Sequence, residues 1–86
     1  MRENIVTESR VAGVIEKVEY TRVGVKTTVC CVTLSNGFEV IGTSACVDPD
    51  NFNKELGEKY ALEQAISKIE ELEGYRLQSE LMITKE

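Results

Sequence analysis

A period-two pattern of polar and apolar side chains fills the first half of the chain, and a helical period fills the second. Residues 16–23 alternate, with Val18 and Tyr20 on one side and charged or hydroxyl side chains on the other, which predicts a strand with one solvated face. The segment 26–35 (KTTVCCVTLS) is rich in β-branched residues and apolar on both faces at its centre. It predicts a central strand covered on both sides, by a helix or by a partner subunit.

Asn36-Gly37 is the strongest turn signal in the sequence, because both residues accept the positive φ that a type I′ hairpin turn requires. The next segment, 38–47, is predicted to return as a strand. Gly42 within it indicates either a β-bulge or a close approach of another backbone. Together the three segments predict a small antiparallel sheet of about three strands.

The N-terminal segment allows two interpretations. Thr7 is a suitable helix cap, and Val11, Val14 and Ile15 would form a short apolar face at helical spacing. Gly13 weakens a helix there by about 1 kcal/mol, and the alternative is a strand that begins near Val11. The sequence alone leaves both open.

The second half of the chain predicts one long helix. Asp48-Pro49 offers a cap followed by a proline at the first helical position, and Asn53 can act as a second cap after a one-turn piece. From there the main helix is predicted to run to about Glu73. Gly74 would serve as a C-cap or a bend, with one or two further helical turns between 75 and 82.

An apolar stripe follows this helix at amphipathic spacing. Its predicted members, with Ala61 at the edge, are Phe52, Leu56, Tyr60, Ala65, Ile66, Ile69 and Leu72. Glutamates take most of the opposite face. The sequence therefore predicts an α+β fold, in which a small antiparallel sheet packs against one long C-terminal amphipathic helix, with the short N-terminal helix as an option.

Size and composition predict one domain, spanning 1–86, with a thin core. Hydrophobic residues make up 42% of the chain, which suits a globular domain, but the only aromatic residues are three tyrosines and two phenylalanines. Self-association is a reasonable expectation for a chain with so few large side chains to bury.

The net charge of −5 argues against polymeric nucleic acid as a partner, because duplex DNA and bulk RNA need a basic face. The sequence has no cluster of Lys and Arg that would provide one. A small anionic ligand stays compatible with an acidic chain, since two or three cations and a helix N-terminus can hold a phosphate.

The sequence offers few residues that could catalyse a reaction or bind a metal ion. There is no histidine, which is the usual general base and a usual metal ligand. The three cysteines lack a C-x-x-C pair and are interpreted as free, core-forming thiols in a reducing cytosol. We therefore expect no enzyme activity, no metal and no cofactor.

Membrane association is not expected either. No apolar run approaches the roughly 18 residues of a membrane span, and residues 1–7 lack the apolar core of a signal peptide. We expect a cytoplasmic protein.

Six residues are candidate contacts for an anionic ligand with a flat base. Arginine offers phosphate a planar bidentate fork and so ranks above lysine, although such cations can equally balance nearby carboxylates. Phe38, like Phe52, either fills the seam between sheet and helix or stacks on a base, and Asn51 either starts a helix or contacts a base edge. The candidates are Arg10, Arg22, Phe38, Asn51, Lys59 and Arg76.

Three stretches of the chain resemble a family of small bacteriophage proteins. They are NGF at 36–38, GTSACVDPDNF at 42–52 and LEGY at 72–75, against a family pattern of N-G-F, G-x-S-A-C-V-x-P-x-N-F and a helix ending in L-E-G-Y. Other matching residues extend the resemblance over nearly the whole chain. Glu70-Glu71 stands where members often carry Trp-Pro, so a more regular and more polar helix end is expected here.

The resemblance implies a function that the residues alone do not give. The family includes the Thoeris anti-defence sponge proteins, which bind a cyclic ADP-ribose isomer made by bacterial TIR enzymes, do not degrade it, and so keep the defence off. Relatives are oligomers with ligand sites between subunits, and some also hold cyclic di- or trinucleotides. For this chain the resemblance implies a homo-oligomer, a dimer or hexamer, that acts in the cytoplasm of the infected bacterial host.

Two rival functions stay open. One is a phage adaptor that binds or inhibits a host protein through the acidic face of the helix. The other is a hydrolase that destroys the signal instead of holding it.

Overall fold

The computed structural model describes residues 7–84, which form a three-stranded antiparallel sheet with a long helix on one face. The elements are α1 (Glu8–Val14), β1 (Ile15–Val23), β2 (Thr27–Leu34), β3 (Glu39–Ala45), a 3₁₀ turn (Pro49–Asn51) and α2 (Lys54–Thr84). The strand order is β1-β2-β3. This confirms the predicted α+β fold, including the short N-terminal helix.

The N-terminal segment is a helix and not a strand from Val11. The Thr7 hydroxyl accepts a hydrogen bond from the Arg10 backbone N–H at 3.1 Å, as an N-cap does. Val11 is buried in the core, with only 5% of its surface exposed. The chain enters β1 directly at Ile15, and the ladder shifts register between Ile15 and Lys17. α1 thus adds Val11 to the core, packs Val14 against it, and leads straight into the sheet.

The hairpin between β2 and β3 is not the predicted type I′ turn. Only Gly37 of the Asn36-Gly37 pair has a positive φ, of 90°. Leu34 accepts from the Gly37 N–H at 2.9 Å and donates to the Phe38 carbonyl at 2.8 Å, which encloses a three-residue loop, the next commonest hairpin type. The Asn36 Oδ1 accepts from the Phe38 N–H at 3.0 Å. This side-chain bond gives Asn36 a local turn of its own in place of the positive φ.

β3 and α2 approach so closely that their backbones touch at Gly42. A Cβ atom added to Gly42 would lie 2.0 Å from the Ala61 carbonyl oxygen and 2.6 Å from the Ala65 nitrogen. The ladder between β2 and β3 runs through this position without a shift, so Gly42 marks a close approach and not a bulge. A second tight contact lies further along, where a Cβ on Gly57 would be 2.6 Å from the Thr28 hydroxyl oxygen.

The buried line of α2 keeps Ala65 and Ile69 of the predicted stripe but leaves out three of its other members. Leu56, Tyr60 and Leu72 are 47, 51 and 41% exposed. The buried positions recur every four residues and are Ala61, Ala65, Ile69, Glu73 and Leu77. Ala61, which the pattern placed at the edge, lies at the centre because only small side chains let the helix approach the strand this closely.

α2 is longer than the sheet that it covers. Its 31 residues span about 46 Å, against about 24 Å for the seven residues of β3, so its C-terminal part projects beyond the strands. The exposed apolar residues of that part are Tyr75, Met82 and Ile83, at 78, 58 and 73%. Among the described residues, no helix combines the length and the apolar composition that crossing a membrane requires.

The predicted helix end at Glu73 is wrong, because α2 continues through Gly74 to Thr84. A mid-helix glycine costs about 1 kcal/mol relative to alanine. Packing on both sides of it offsets that cost, since Glu73 and Leu77 are 5 and 7% exposed. The regular helix around Glu70-Glu71 agrees with the expectation drawn from the missing Trp-Pro.

The outer face of the sheet, away from α2, is the side on which Val29, Cys31, Ile41 and Thr43 lie. Cys31 pairs with Ile41 across the ladder, and Val29 pairs with Thr43. Ile41 is 42% exposed. The sequence predicted that both faces of β2 are covered. α2 covers the inner face, and no described helix packs on the outer one.

Candidate ligand-binding cleft

A cleft opens where the end of the sheet meets the start of α2. Phe52, in the link between the 3₁₀ turn and α2, divides it into two halves that share Phe52 and Thr28. The wider half has a volume of about 310 Å³, which lies within the range of small-molecule sites. We call the two halves together the Phe52 cleft.

Two predicted caps shape the link that carries Phe52. The Asp48 carboxylate accepts from the Asp50 N–H at 3.0 Å, and the Asn53 side chain accepts from the Leu56 N–H at 3.0 Å. Both capping predictions are confirmed. The short segment between the caps therefore has a defined path and presents Asn51 and Phe52 at the mouth of the cleft.

The wider half is built around an arginine stacked on an aromatic ring. The Arg22 guanidinium carbon lies 3.9 Å from the centre of the Phe52 ring, a cation–π geometry. Its Nη2 also donates to the Val25 carbonyl, so the plane of the guanidinium is held on two sides. Arginine has five N–H donors, and this arrangement leaves donors available for an anion. The other lining residues are Tyr20, Thr21, Thr28, Lys54 and Glu58.

The second half offers hydroxyl, amide and ammonium groups. Lys26 Nζ donates to the Val47 carbonyl at 3.3 Å, which anchors the side chain at the rim. The Ser44 hydroxyl donates to the Gly57 carbonyl at 2.6 Å and ties β3 to the first turn of α2. Further lining residues include Cys46, Asn51, Asn53 and Tyr60.

Positive charge is concentrated in this cleft although the chain as a whole is acidic. The lining residues include three cations, Arg22, Lys26 and Lys54, and one carboxylate, Glu58. The start of α2 adds the partial positive charge of a helix N-terminus. The cleft is therefore suited to an anion that also has a flat apolar surface.

The opposite end of α2 uses its arginines differently. Arg10 Nε donates to Glu73 at 2.9 Å, and Arg10 Nη2 lies 3.4 Å from Glu80. Arg76 lies 3.6 Å from Glu73 and 3.4 Å from Glu80. We call these four residues the Glu73 cluster. The Glu73 side chain is only 7% exposed, and its hydrogen bond raises the pKa of Arg10, against burial, which lowers it, and with a further contribution from Glu80.

The remaining two candidates lie elsewhere. Phe38 is 56% exposed and lines a separate depression beside Lys68 and Leu72. Lys59 Nζ lies 5.8 Å from the centre of the Tyr60 ring and lines neither half of the cleft. The structure thus brings Arg22 and Asn51 to one site, and places Arg10, Arg76, Phe38 and Lys59 outside it.

Sequence reasoning missed several residues of the cleft. Two weak signals exist: Tyr20 and Arg22 share a strand face because they are two apart, and Lys54 and Glu58 share a helix face because they are four apart. Neither signal says that the two pairs meet. That depends on the short link through Phe52, which brings the end of β1 next to the start of α2.

No group of three or more histidine, cysteine, aspartate or glutamate side chains suited to a metal ion occurs among residues 7–84. All three thiols are free, with Cys30 in the core and Cys31 and Cys46 half-buried. The three cysteines lie on the inner face, the outer face and the cleft, respectively. Their separation explains why they form neither a disulfide nor a cysteine cluster.

Residues of the 42–52 stretch, which carries part of the resemblance, lie in two places: at the seam between β3 and α2, and in the cleft. Gly42, Ala61 and Ala65 make the backbone contact at the seam, and Ser44 bonds to the first turn of α2. Asn51-Phe52 instead lines the cleft. The stretch that carries the resemblance therefore includes residues of the seam and residues of the cleft.

Comparison with known proteins places the chain in one family. No curated protein and no solved structure matches it. The chain matches the family described as phage protein (N4 Gp49/phage Sf6 gene 66) over residues 6–81, most of its length, and therefore belongs to that family.

Proposed function

We propose that this chain is a non-enzymatic sponge that sequesters a cyclic ADP-ribose isomer, the Thoeris immune signal, so that a phage evades bacterial defence. The observation that carries the proposal is the Phe52 cleft, in which an arginine stacked on a phenylalanine meets two lysines. Membership of a phage protein family supports the setting. The resemblance of the sequence to the sponge proteins supports the class of ligand.

The chemistry of the cleft fits the two parts of such a ligand. A cyclic ADP-ribose carries two phosphates, and charge-assisted hydrogen bonds from Arg22, Lys26 and Lys54 suit them. The flat base needs an aromatic surface, which Phe52 and the half-exposed Tyr60 provide. Stacking of a base on an aromatic side chain contributes about 1–3 kcal/mol. A cyclic di- or trinucleotide presents the same two kinds of group and is the second ligand class.

Two side chains of the cleft that could act as nucleophiles, Ser44 and Cys46, both contact backbone carbonyls. The Ser44 hydroxyl is committed to the Gly57 carbonyl at 2.6 Å, and the Cys46 thiol points to the Asp48 carbonyl at 3.3 Å. Nucleophilic catalysis requires a general base within hydrogen-bond reach of such a group, and both partners here are carbonyl acceptors of the backbone. These contacts favour holding the ligand over cleaving it.

Self-association belongs to the same proposal. The outer face presents Ile41 beside Cys31, and Ile41 is 42% exposed. Covering this surface with a second copy would bury apolar area that the described chain leaves in water. We therefore infer a homo-oligomer, a dimer or hexamer, in the cytoplasm of the infected host.

One observation favours a second function, a phage adaptor that binds a host protein. The projecting part of α2 carries Tyr75, Met82 and Ile83 in exposed positions. Exposed aromatic and methionine side chains are enriched at protein interfaces. A host protein bound there would leave the Phe52 cleft unused.

The test is to mix the protein with the purified cyclic ADP-ribose isomer, pass the mixture through a size filter, heat the retained fraction, and measure the released compound by mass spectrometry. A sponge retains the compound and releases it after heating with its mass unchanged. A matched sample with Arg22→Ala, which removes the stacked cation, should retain much less. Arg76→Ala, which removes an exposed arginine from the Glu73 cluster, should retain as much as the unchanged protein.

The same samples separate the rivals. An adaptor never retains the compound, at any protein concentration. A hydrolase releases a product of different mass. Either result would remove the sponge function.

A further inference from the structure

Glu58 is the one carboxylate among the residues that line the Phe52 cleft. It lies on α2, one turn after Lys54, and it is half-buried. Tyr20 and Arg22 face it from β1 across the wider half. A negative side chain at this place is unexpected in a site whose other charged groups are cations.

Glu58 makes no ion pair or side-chain hydrogen bond with any residue that the structure describes. Lys54 has the i,i+4 spacing of a helical ion pair but forms none with Glu58, and Arg22 donates to the Val25 carbonyl and not to Glu58. Glu73 shows the contrast, since its carboxylate bonds to two arginines. A half-buried carboxylate without a protein partner is available to accept a hydrogen bond from a ligand.

The electrostatic influence of Glu58 reaches across the cleft. Burial, then the Cys30 thiol, and then the Glu58 carboxylate raise the pKa of Tyr20. Glu58 has the same effect on Cys30, after burial and Cys31. Its charge therefore influences Tyr20, which lines the cleft, and Cys30, which lies in the core.

An ionised carboxylate accepts hydrogen bonds and donates none, so it repels phosphate and binds N–H and O–H groups. In a cyclic nucleotide those donors are sugar hydroxyls and the amino group of the base. We propose that Glu58 is a specificity-determining residue of the Phe52 cleft, whose carboxylate accepts a hydrogen bond from a sugar hydroxyl or base amino group of the bound nucleotide. The inference rests on the proposed function and adds to it how the cleft distinguishes its ligand from a simple dianion.

A double-mutant cycle between protein and ligand tests this role. The affinity of the unchanged protein and of Glu58→Ala is measured by calorimetry for three compounds: the cyclic ADP-ribose isomer, an analogue lacking one ribose hydroxyl, and an analogue with oxygen in place of the adenine amino group. In the unchanged protein, loss of the donor that Glu58 binds should weaken affinity about 10- to 100-fold, as expected for a charge-assisted hydrogen bond. In Glu58→Ala the same change in the ligand should have no effect.

The two analogues distinguish the two sources of the donor. If only the deoxy analogue shows the coupling, Glu58 contacts the sugar, and if only the oxo analogue does, it contacts the base. Glu55→Ala is the matched control, because Glu55 is an exposed glutamate of the same helix that does not line the cleft. Its cycle should show no coupling.

Equal losses in the unchanged protein and in Glu58→Ala, for both analogues, would overturn the role of Glu58 while leaving the sponge function in place. Absence of binding of the parent compound to the unchanged protein would overturn both. A melting curve of Glu58→Ala should show a folded protein, since this side chain has no hydrogen bond to lose among the described residues.

Discussion

The two ends of α2 carry arginines in opposite environments. At the start of the helix, Arg22 stacks on Phe52 beside a cleft in which cations outnumber carboxylates. At the far end, Arg10 and Arg76 share Glu73 and Glu80. The same residue type therefore keeps hydrogen-bond donors available at one end and is paired with carboxylates at the other.

The difference shows that the function of a cation depends on what shares its surroundings. Arg10 ranked level with Arg22 on residue type alone, yet a nearly buried carboxylate already takes its charge. An incoming phosphate would have to displace Glu73 from Arg10, and the nearly buried Glu73 carboxylate would then keep only its longer contact with Arg76. The Phe52 cleft presents no such competition, and this is why the proposed function is placed there.

The largest expected effect is a loss of stability when the middle of α2 is pushed away from β3. The contact of α2 with β3 is what holds both ends of the helix in place. Gly42→Ala should destabilise the protein by about 3 kcal/mol, at the upper end for overpacking, because the new Cβ would lie 2.0 Å from the Ala61 carbonyl oxygen. Urea unfolding followed by circular dichroism measures the change.

Gly13→Ala is the control for that substitution. A Cβ at Gly13 would meet nothing within 4 Å, so alanine should stabilise α1 by about 0.5–1 kcal/mol through the unfolded chain. If both variants unfold at the same urea concentration as the unchanged protein, the backbone contact at the seam is not what positions α2.

The next largest effect separates the two ends by ligand binding. Arg22→Ala should weaken binding of the cyclic ADP-ribose isomer about a hundredfold, because it removes a charge-assisted hydrogen bond worth about 1.5–3 kcal/mol. Arg76→Ala should leave the affinity unchanged, since its charge is already balanced by glutamates. Calorimetric titration of both variants makes the comparison, and equal losses would erase the distinction between the ends.

Glu73→Gln should produce the converse result. It removes the carboxylate charge that both arginines of the cluster share, so the contact between α1 and α2 should weaken while ligand affinity stays the same. Amide hydrogen exchange should become faster at Val11, whose N–H bonds to the Thr7 carbonyl. Unchanged exchange across α1 would show that the ion pairs do not hold this helix.

A smaller effect is a pH dependence that arises from Cys30 in the core. Burial, followed by the charges of Cys31 and Glu58, raises the pKa of the Cys30 thiol above its ordinary 9.0. The unfolded chain therefore loses this proton at a lower pH than the folded protein, and the free energy of unfolding should fall as the pH rises through 9.0. Cys30→Ala should flatten that slope in urea unfolding measured on both sides of pH 9.0.

The fold could be predicted from the sequence wherever the signal is local. Thr7, Asp48 and Asn53 cap the segments that they were expected to cap, because each cap depends on only a few neighbouring residues. The predicted type I′ turn does not form, because the Asn36 side chain accepts a hydrogen bond from the Phe38 N–H instead. The end of α2 was misplaced because Glu73 finds its partner Arg10 sixty-three positions away, which no local pattern shows.

The candidate site could be predicted only in part. Arg22 and Asn51 were chosen for their residue types, and the cleft contains both. Glu58 and Lys54 could not be chosen, because their value depends on facing β1 across a gap that only the folded chain defines. Phe52 had two interpretations, seam or stacking surface, and the structure places it against a cation at the cleft and not in the core.

The most direct test of the account is a crystal structure of the protein grown with the cyclic ADP-ribose isomer. The account predicts density for the compound in the Phe52 cleft, with a phosphate oxygen within hydrogen-bond distance of the Arg22 guanidinium and the Glu73 cluster unchanged. Density at the Glu73 cluster or beside Phe38, or none anywhere at saturating ligand, would contradict it.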